Sequence, residues 1–83
     1  MRYLVMLVRT PQFQPALIAE HQVFLQRLRD SGQLELAGPF TDKSGGAYLL
    51  KAESVAAAEA LAYADPLHTS GSSRVTVYQW DAQ

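Results

Sequence analysis

Two ionisable residues stand where their surroundings are otherwise apolar. His21 interrupts the hydrophobic side of "LIAEHQVFLQRL", residues 17–28, and Asp65 closes the alanine-rich run "VAAAEALAYADP". At about 100° per residue, Leu17, Ile18, Phe24, Leu25 and Leu28 share an arc of roughly 120°, and His21 falls near its middle. A neutral imidazole has one donor and one acceptor nitrogen. If a carboxylate accepts from one nitrogen, the other becomes an acceptor aimed into whatever space lies beside it, which is the arrangement of a general base with its tautomer set. Asp65 is the candidate carboxylate. It follows the second predicted helix, whose C-terminus carries partial negative charge and disfavours an acid unless something compensates. An imidazolium nearby would compensate. Each residue also has a plainer reading. His21 can be a core histidine hydrogen-bonded to main chain, and Asp65 can be the turn residue that Pro66 calls for.

The remaining candidates are weaker. His68 follows Asp65 by three residues, but two ligands on a loop do not make a metal site. "KSGGA", residues 43–47, has two glycines without the strand–loop–helix context of a phosphate loop. Ser70, Ser72 and Ser73 have no nucleophile-elbow spacing around them. Nothing points to a bound organic cofactor or a metal.

The elements that would carry His21 and Asp65 can be read from periodicity and punctuation. "YLVMLV" (residues 3–8) is continuously apolar and suits a strand covered on both faces. Pro11 and Pro15 bracket a break, and a helix is expected from about Pro15 to Ser31, stopping at Gly32. "QLELAG" (33–38) alternates as a half-buried strand. Residues 39–46 form a turn punctuated by Pro39 and the Gly45–Gly46 pair, and "AYLLKA" (47–52) is a second two-faced strand. Ser54 is placed to cap a second helix over residues 55–64, with Val55, Leu61, Ala58 and Ala62 as its core contacts. Pro66 ends that helix near Asp65. "LHTSGSS" (67–73) reads as a polar loop, and "RVTVYQW" (74–80) as the last strand.

The order β-α-β-β-α-β is the ferredoxin-like, split-βαβ arrangement, an α+β fold with a four-stranded antiparallel sheet. Its first and third strands lie in the middle, and these are the two runs apolar on both faces. Two helices cover only one face. Either Leu4, Met6 and Val8 or Tyr3, Val5 and Leu7 would then face water, and a contiguous exposed apolar patch usually marks an interface. A homodimer packed sheet to sheet through the open face is therefore expected. In this fold both helices lie on one face of the sheet, so His21 and Asp65 can meet. A small-molecule pocket is expected between helices and sheet near the end of the second helix, with the 39–46 turn as its rim.

Bulk properties narrow the classes. The 83 residues make one domain, 48% hydrophobic, with a net charge of −1. The cations are scattered, so no basic stripe suits nucleic acid, and the third strand lacks the aromatic pattern of an RNA-recognition sheet. Tyr78 and Trp80 read as packing or interface residues. No run approaches the ~18 apolar residues of a membrane span. "MRYLVMLVRT" lacks a small-residue cleavage site and reads as a strand rather than a signal peptide. The chain has no cysteine, which removes thiolate chemistry and fits a cytoplasmic protein.

Taken together, these segments resemble a known family. "EHQVFLQRLRDSGQLELAGPF" resembles the His-x-x-Phe/Tyr-Leu … Gly … Ala-Gly-Pro segment of YciI-like (YCII-related) proteins, "GGAYLLKAESVAAAEALAYADPL" their Gly-Gly hairpin, second helix and closing Asp-Pro, and "VTVYQW" their last strand. The resemblance covers nearly the whole chain. It implies a dimeric α+β barrel and an active site built on a His–Asp pair, carried over to His21 and Asp65. The Gly38–Pro39 turn falls at the rim of the family's pocket and is carried over as substrate-binding. Some relatives perform lyase, dehalogenation or isomerase chemistry on small organic molecules. The expectation is an acid–base enzyme of that type; the alternative is a ligand-binding or accessory module in which His21 and Asp65 hold the helices in register.

Overall fold

Strand β1 (Arg2–Arg9) lies in the interior of the sheet, as its apolar sequence requires. A computed structural model describes residues 1–83. Its elements are β1, a 3-10 turn (Pro15–Leu17) leading into α1 (Ile18–Asp30), β2 (Leu34–Pro39), β3 (Gly45–Lys51), α2 (Val55–Ala62), a short α3 (Pro66–Thr69) and β4 (Ser73–Gln79). The sheet order is β2-β3-β1-β4 with every pairing antiparallel, so the first and third strands are central as expected. No helix is long and apolar enough to cross a membrane.

Side-chain alternation settles which face of β1 is covered. Tyr3, Val5 and Leu7 are buried against the helices, together with Tyr48 and Leu50 of β3 and Val75 of β4. From α1 the core takes Leu25 and Leu28, and burial of each stabilises the fold by about 1.5–3 kcal/mol. Leu4, Met6 and Val8 occupy the opposite face beside Leu36, Tyr78 and Trp80, the last three being 68%, 52% and 48% exposed.

Local signals explain the helix ends. Ser54 accepts from the Ala57 N–H at 3.1 Å and caps α2. At the end of α1, Gly32 adopts φ 81°. There the N–H groups of Gly32 and Gln33 donate to the carbonyls of Arg29 and Leu28, a Schellman closure that a glycine permits.

Three expectations are corrected. Residues 67–73 are not a polar loop. Pro66 does end α2, but it also opens α3, a helix too short to show periodicity, which buries Leu67. The Gly45–Gly46 pair belongs to β3 rather than to the turn. A Cβ on Gly45 would lie 1.8 Å from the Leu7 carbonyl oxygen, and one on Gly46 would lie 2.7 Å from that of Gly38, so the close approach of the strands demands glycine. Val55 is 46% exposed, and the buried contacts of α2 are Ala58 and Ala62.

Candidate functional site

The fold brings His21 and Asp65 together. His21 lies in the first turns of α1, and its Nδ1 is 3.0 Å from Asp65 Oδ1 and 2.9 Å from Oδ2. Its side chain is 12% exposed, whereas that of Asp65 is fully buried. The apolar arc of α1 accounts for this placement: the stripe that packs on the sheet carries the imidazole inward.

Asp65 is not held as its sequence position suggests. Its backbone N–H donates to the Ala62 carbonyl at the end of α2 at 3.1 Å, but its carboxylate makes no bond there. Instead Asp65 caps the N-terminus of α3, where Oδ1 accepts from the Leu67 N–H at 2.9 Å. A carboxylate in that position is favoured by the unpaired N–H groups of the first turn. The Tyr48 hydroxyl donates to Oδ2 at 3.2 Å. Asp65 therefore accepts from a helix, a strand and an imidazole at once, and no buried side-chain polar atom lacks a partner.

Tyr48 was not singled out from the sequence. Its signal was a phenol inside the aliphatic run "AYLLKA"; a buried tyrosine hydroxyl usually has a hydrogen-bond partner. Burial first, then the charge of Asp65 and their hydrogen bond, push the Tyr48 phenol far above its ordinary range. It remains a neutral donor throughout the working range of a protein.

With Nδ1 committed to Asp65, the Nε2 of His21 has no protein partner. His21 lines a cavity of about 710 Å³ between α1, the sheet and the β2–β3 turn. Leu25 and Tyr48 line it, as do Gly38, Pro39, Gly45 and Gly46. Several residues of the 39–46 segment therefore line the same space as His21, and Gly38 and Pro39 are among its lining residues. The position differs from expectation in one respect: no residue of α2 lines the cavity, and α3 contributes Leu67. His68 takes no part. Its Nδ1 donates to the Tyr63 carbonyl at 2.9 Å and its ring stacks on Tyr63.

An imidazole with one nitrogen oriented by a carboxylate and the other open to a cavity can take a proton from a bound molecule and return it. Asp65 would fix the tautomer and stabilise the cation that forms.

Comparison with known proteins gives the family. A model of the YCII-related domain matches residues 1–81, and the chain belongs to this family. It is 42% identical over 78 residues to the uncharacterized protein YjpA of Bacillus subtilis (strain 168), covering 94% of this chain and 92% of the relative. Among solved structures it is similar to 5-chloro-2-hydroxyhydroquinone dehydrochlorinase (TftG) of Burkholderia phenoliruptrix AC1100 in complex with 2,5-dihydroxybenzoquinone. The TM-score is 0.79, with 100% of this chain and 96% of that chain covered. At 20% identity this likeness shows the ferredoxin-like fold.

Proposed function

We propose that this member of the YCII-related family is a small homodimeric enzyme in which His21 is the general base and acid and Asp65 orients it. The observation that carries the reading is the asymmetry of the His21 ring: Nδ1 is held by a buried carboxylate, and Nε2 is left free at a cavity. Such a pair supports proton abstraction next to a carbonyl. In an elimination, Nε2 takes the proton from carbon and the C–H electrons form the new double bond. A halide on the adjacent carbon then leaves with its bonding pair. In an isomerisation the same proton returns to another carbon. Neither step needs an oxidant or a reductant. The dehydrochlorinase activity named for the structural neighbour is likewise a net loss of HCl, with the proton available from a ring hydroxyl of the keto tautomer rather than from carbon, and it supports a dehalogenating lyase as the class to test first.

Gly38 and Pro39 would form the substrate-binding rim, and the Tyr48 hydroxyl would hold Asp65 in place. The open sheet face carrying Leu36, Tyr78 and Trp80 would be covered by a second copy of the chain, because so much contiguous apolar surface is unfavourable in water.

The test is turnover of chlorinated hydroquinones, followed by chloride release, in the wild type, His21→Ala and Asp65→Asn. Loss of activity in both variants with cooperative unfolding retained supports catalysis. A His21→Ala protein as active as the wild type would sink it. The specific rival is a structural pair, favoured by the way Asp65 ties α1, β3 and α3 together. It predicts that these variants lose stability or association and that no chloride is released by any of the three proteins.

A further inference from the structure

The cavity that holds Nε2 of His21 is charged in one sense only. Arg9, Arg29 and Lys43 line it, and none of its lining residues is an aspartate or glutamate. The three come from separate elements, the end of β1, the last turn of α1 and the β2–β3 turn. The chain as a whole has a net charge of −1 with seven Lys and Arg, so three of the seven gather here against the overall balance. Two others, Arg2 and Lys51, share Glu35, whereas none of the three cavity cations forms an ion pair.

Two details concern how Arg9 and Lys43 are held. The Arg9 guanidinium carbon lies 4.1 Å from the centre of the Phe13 ring, a cation–π contact that restrains a long side chain without neutralising it. Lys43 adopts φ 64°, a left-handed conformation that suits glycine or asparagine better than lysine. The backbone at this turn thus carries a less favoured residue that lines the cavity.

We propose that the cavity selects a small organic anion, a carboxylate or an ionised phenol or enol, with Arg9, Arg29 and Lys43 as its binding groups. The proposal rests on the reading of this cavity as the substrate site, and it names the substrate class. All three are solvent-exposed residues on the cavity's lining, and cations around a partly enclosed space still attract an anion more strongly than the same groups dispersed in bulk water. They also stabilise the negative charge that develops on a carbonyl oxygen when His21 removes an adjacent proton. Substrate recognition and transition-state stabilisation would use the same side chains.

The test uses a matched pair of probes, benzoate and benzamide, which have nearly the same shape and differ in charge. Each is titrated into the full chain and followed by NMR shifts of cavity amides at two salt concentrations. Benzoate should bind at least about tenfold more tightly than benzamide, the value of one charge-assisted hydrogen bond, and should weaken as salt rises. Arg9→Gln, Arg29→Gln and Lys43→Gln should each reduce benzoate affinity by roughly threefold or more and leave benzamide unchanged. Lys43→Gly relieves the left-handed backbone while removing the amine. It should unfold no earlier than the wild type and still lose benzoate affinity, which separates binding from folding. Equal affinity for the two probes, or no binding of either at millimolar concentration, would overturn the proposal. His21→Ala should keep the preference for benzoate. Charge selectivity without any effect of His21→Ala on turnover would therefore sink catalysis by His21 and leave the anion site standing.

Discussion

Nδ1 of His21 lies 3.0 Å from Oδ1 and 2.9 Å from Oδ2 of Asp65, a contact between residues 44 positions apart. The same carboxylate also receives the Leu67 N–H and the Tyr48 hydroxyl. The imidazole is therefore attached to a part of the core with its own reasons to be rigid, and this rigidity would keep the free nitrogen aimed at the cavity.

Replacing Asp65 by asparagine tests orientation with little change of shape. The three groups around position 65 are donors, so an amide nitrogen brought among them must face one of them or turn the imidazole to its other tautomer. Turnover should fall by about 100-fold to 10⁴-fold. Nitrogen-15 NMR of the His21 ring should show the proton moving from Nδ1 to Nε2. An unchanged tautomer with unchanged turnover would contradict the role given to Asp65.

Asp65→Ala should be a stability mutation as well. It strands the Tyr48 hydroxyl and the Leu67 N–H and removes the cap of α3, at a combined cost of about 2–5 kcal/mol. Urea denaturation followed by circular dichroism reads this directly. A midpoint equal to that of the wild type would mean that the hydrogen bonds to Asp65 contribute nothing net.

Tyr48→Phe separates the phenol from the rest of the site. At neutral pH the loss of one buried hydroxyl partner should cost about 1 kcal/mol. The raised Tyr48 pKa has a further consequence at alkaline pH. In the unfolded chain the phenol ionises near 10.0, while in the folded chain it stays protonated well beyond that. The folded state then binds more protons than the unfolded one, and stability falls as pH rises above that value. The advantage of the wild type over Tyr48→Phe, measured as the difference in urea midpoint, should shrink as pH passes through that point. A constant difference across the range would contradict the shift.

Gly45→Ala tests the strand approach. With backbone atoms of Leu7 at 1.8 Å and 2.8 Å from the new Cβ, β1 and β3 must separate at the rim of the cavity. The loss should exceed about 3 kcal/mol or prevent folding. A stable, cooperatively unfolding Gly45→Ala protein would show that the β1–β3 pairing can shift there.

The open sheet face supplies the last prediction. Leu36 is 68% exposed and contributes nothing to the core of the single chain. Leu36→Glu should leave the folded chain intact, with its stability changed by about 0.5 kcal/mol or less. It should convert a dimer into a monomer in sedimentation equilibrium at micromolar concentration. A wild type already monomeric under those conditions would remove the sheet-to-sheet dimer from the proposal.

Local patterning was enough to read the order of the main elements. An apolar run on both faces marks a central strand, a 3.6-residue stripe marks α1, and Gly32 and Ser54 mark helix ends through their own conformational and hydrogen-bonding preferences. It was also enough to single out His21, because an imidazole inside an apolar arc is visible within one helix. What lay beyond local patterning depends on residues distant in the chain meeting in space. The capping of α3 by Asp65 was hidden because four residues are too few to set a period. The partnership with Tyr48, the choice of Tyr3, Val5 and Leu7 as the inner face of β1, and the gathering of Arg9, Arg29 and Lys43 around one cavity all follow from strand register and helix packing. A one-residue change of register would reverse the faces of a strand while leaving its composition untouched, which is why the elements could be read from the sequence and the site's full set of partners required the tertiary structure.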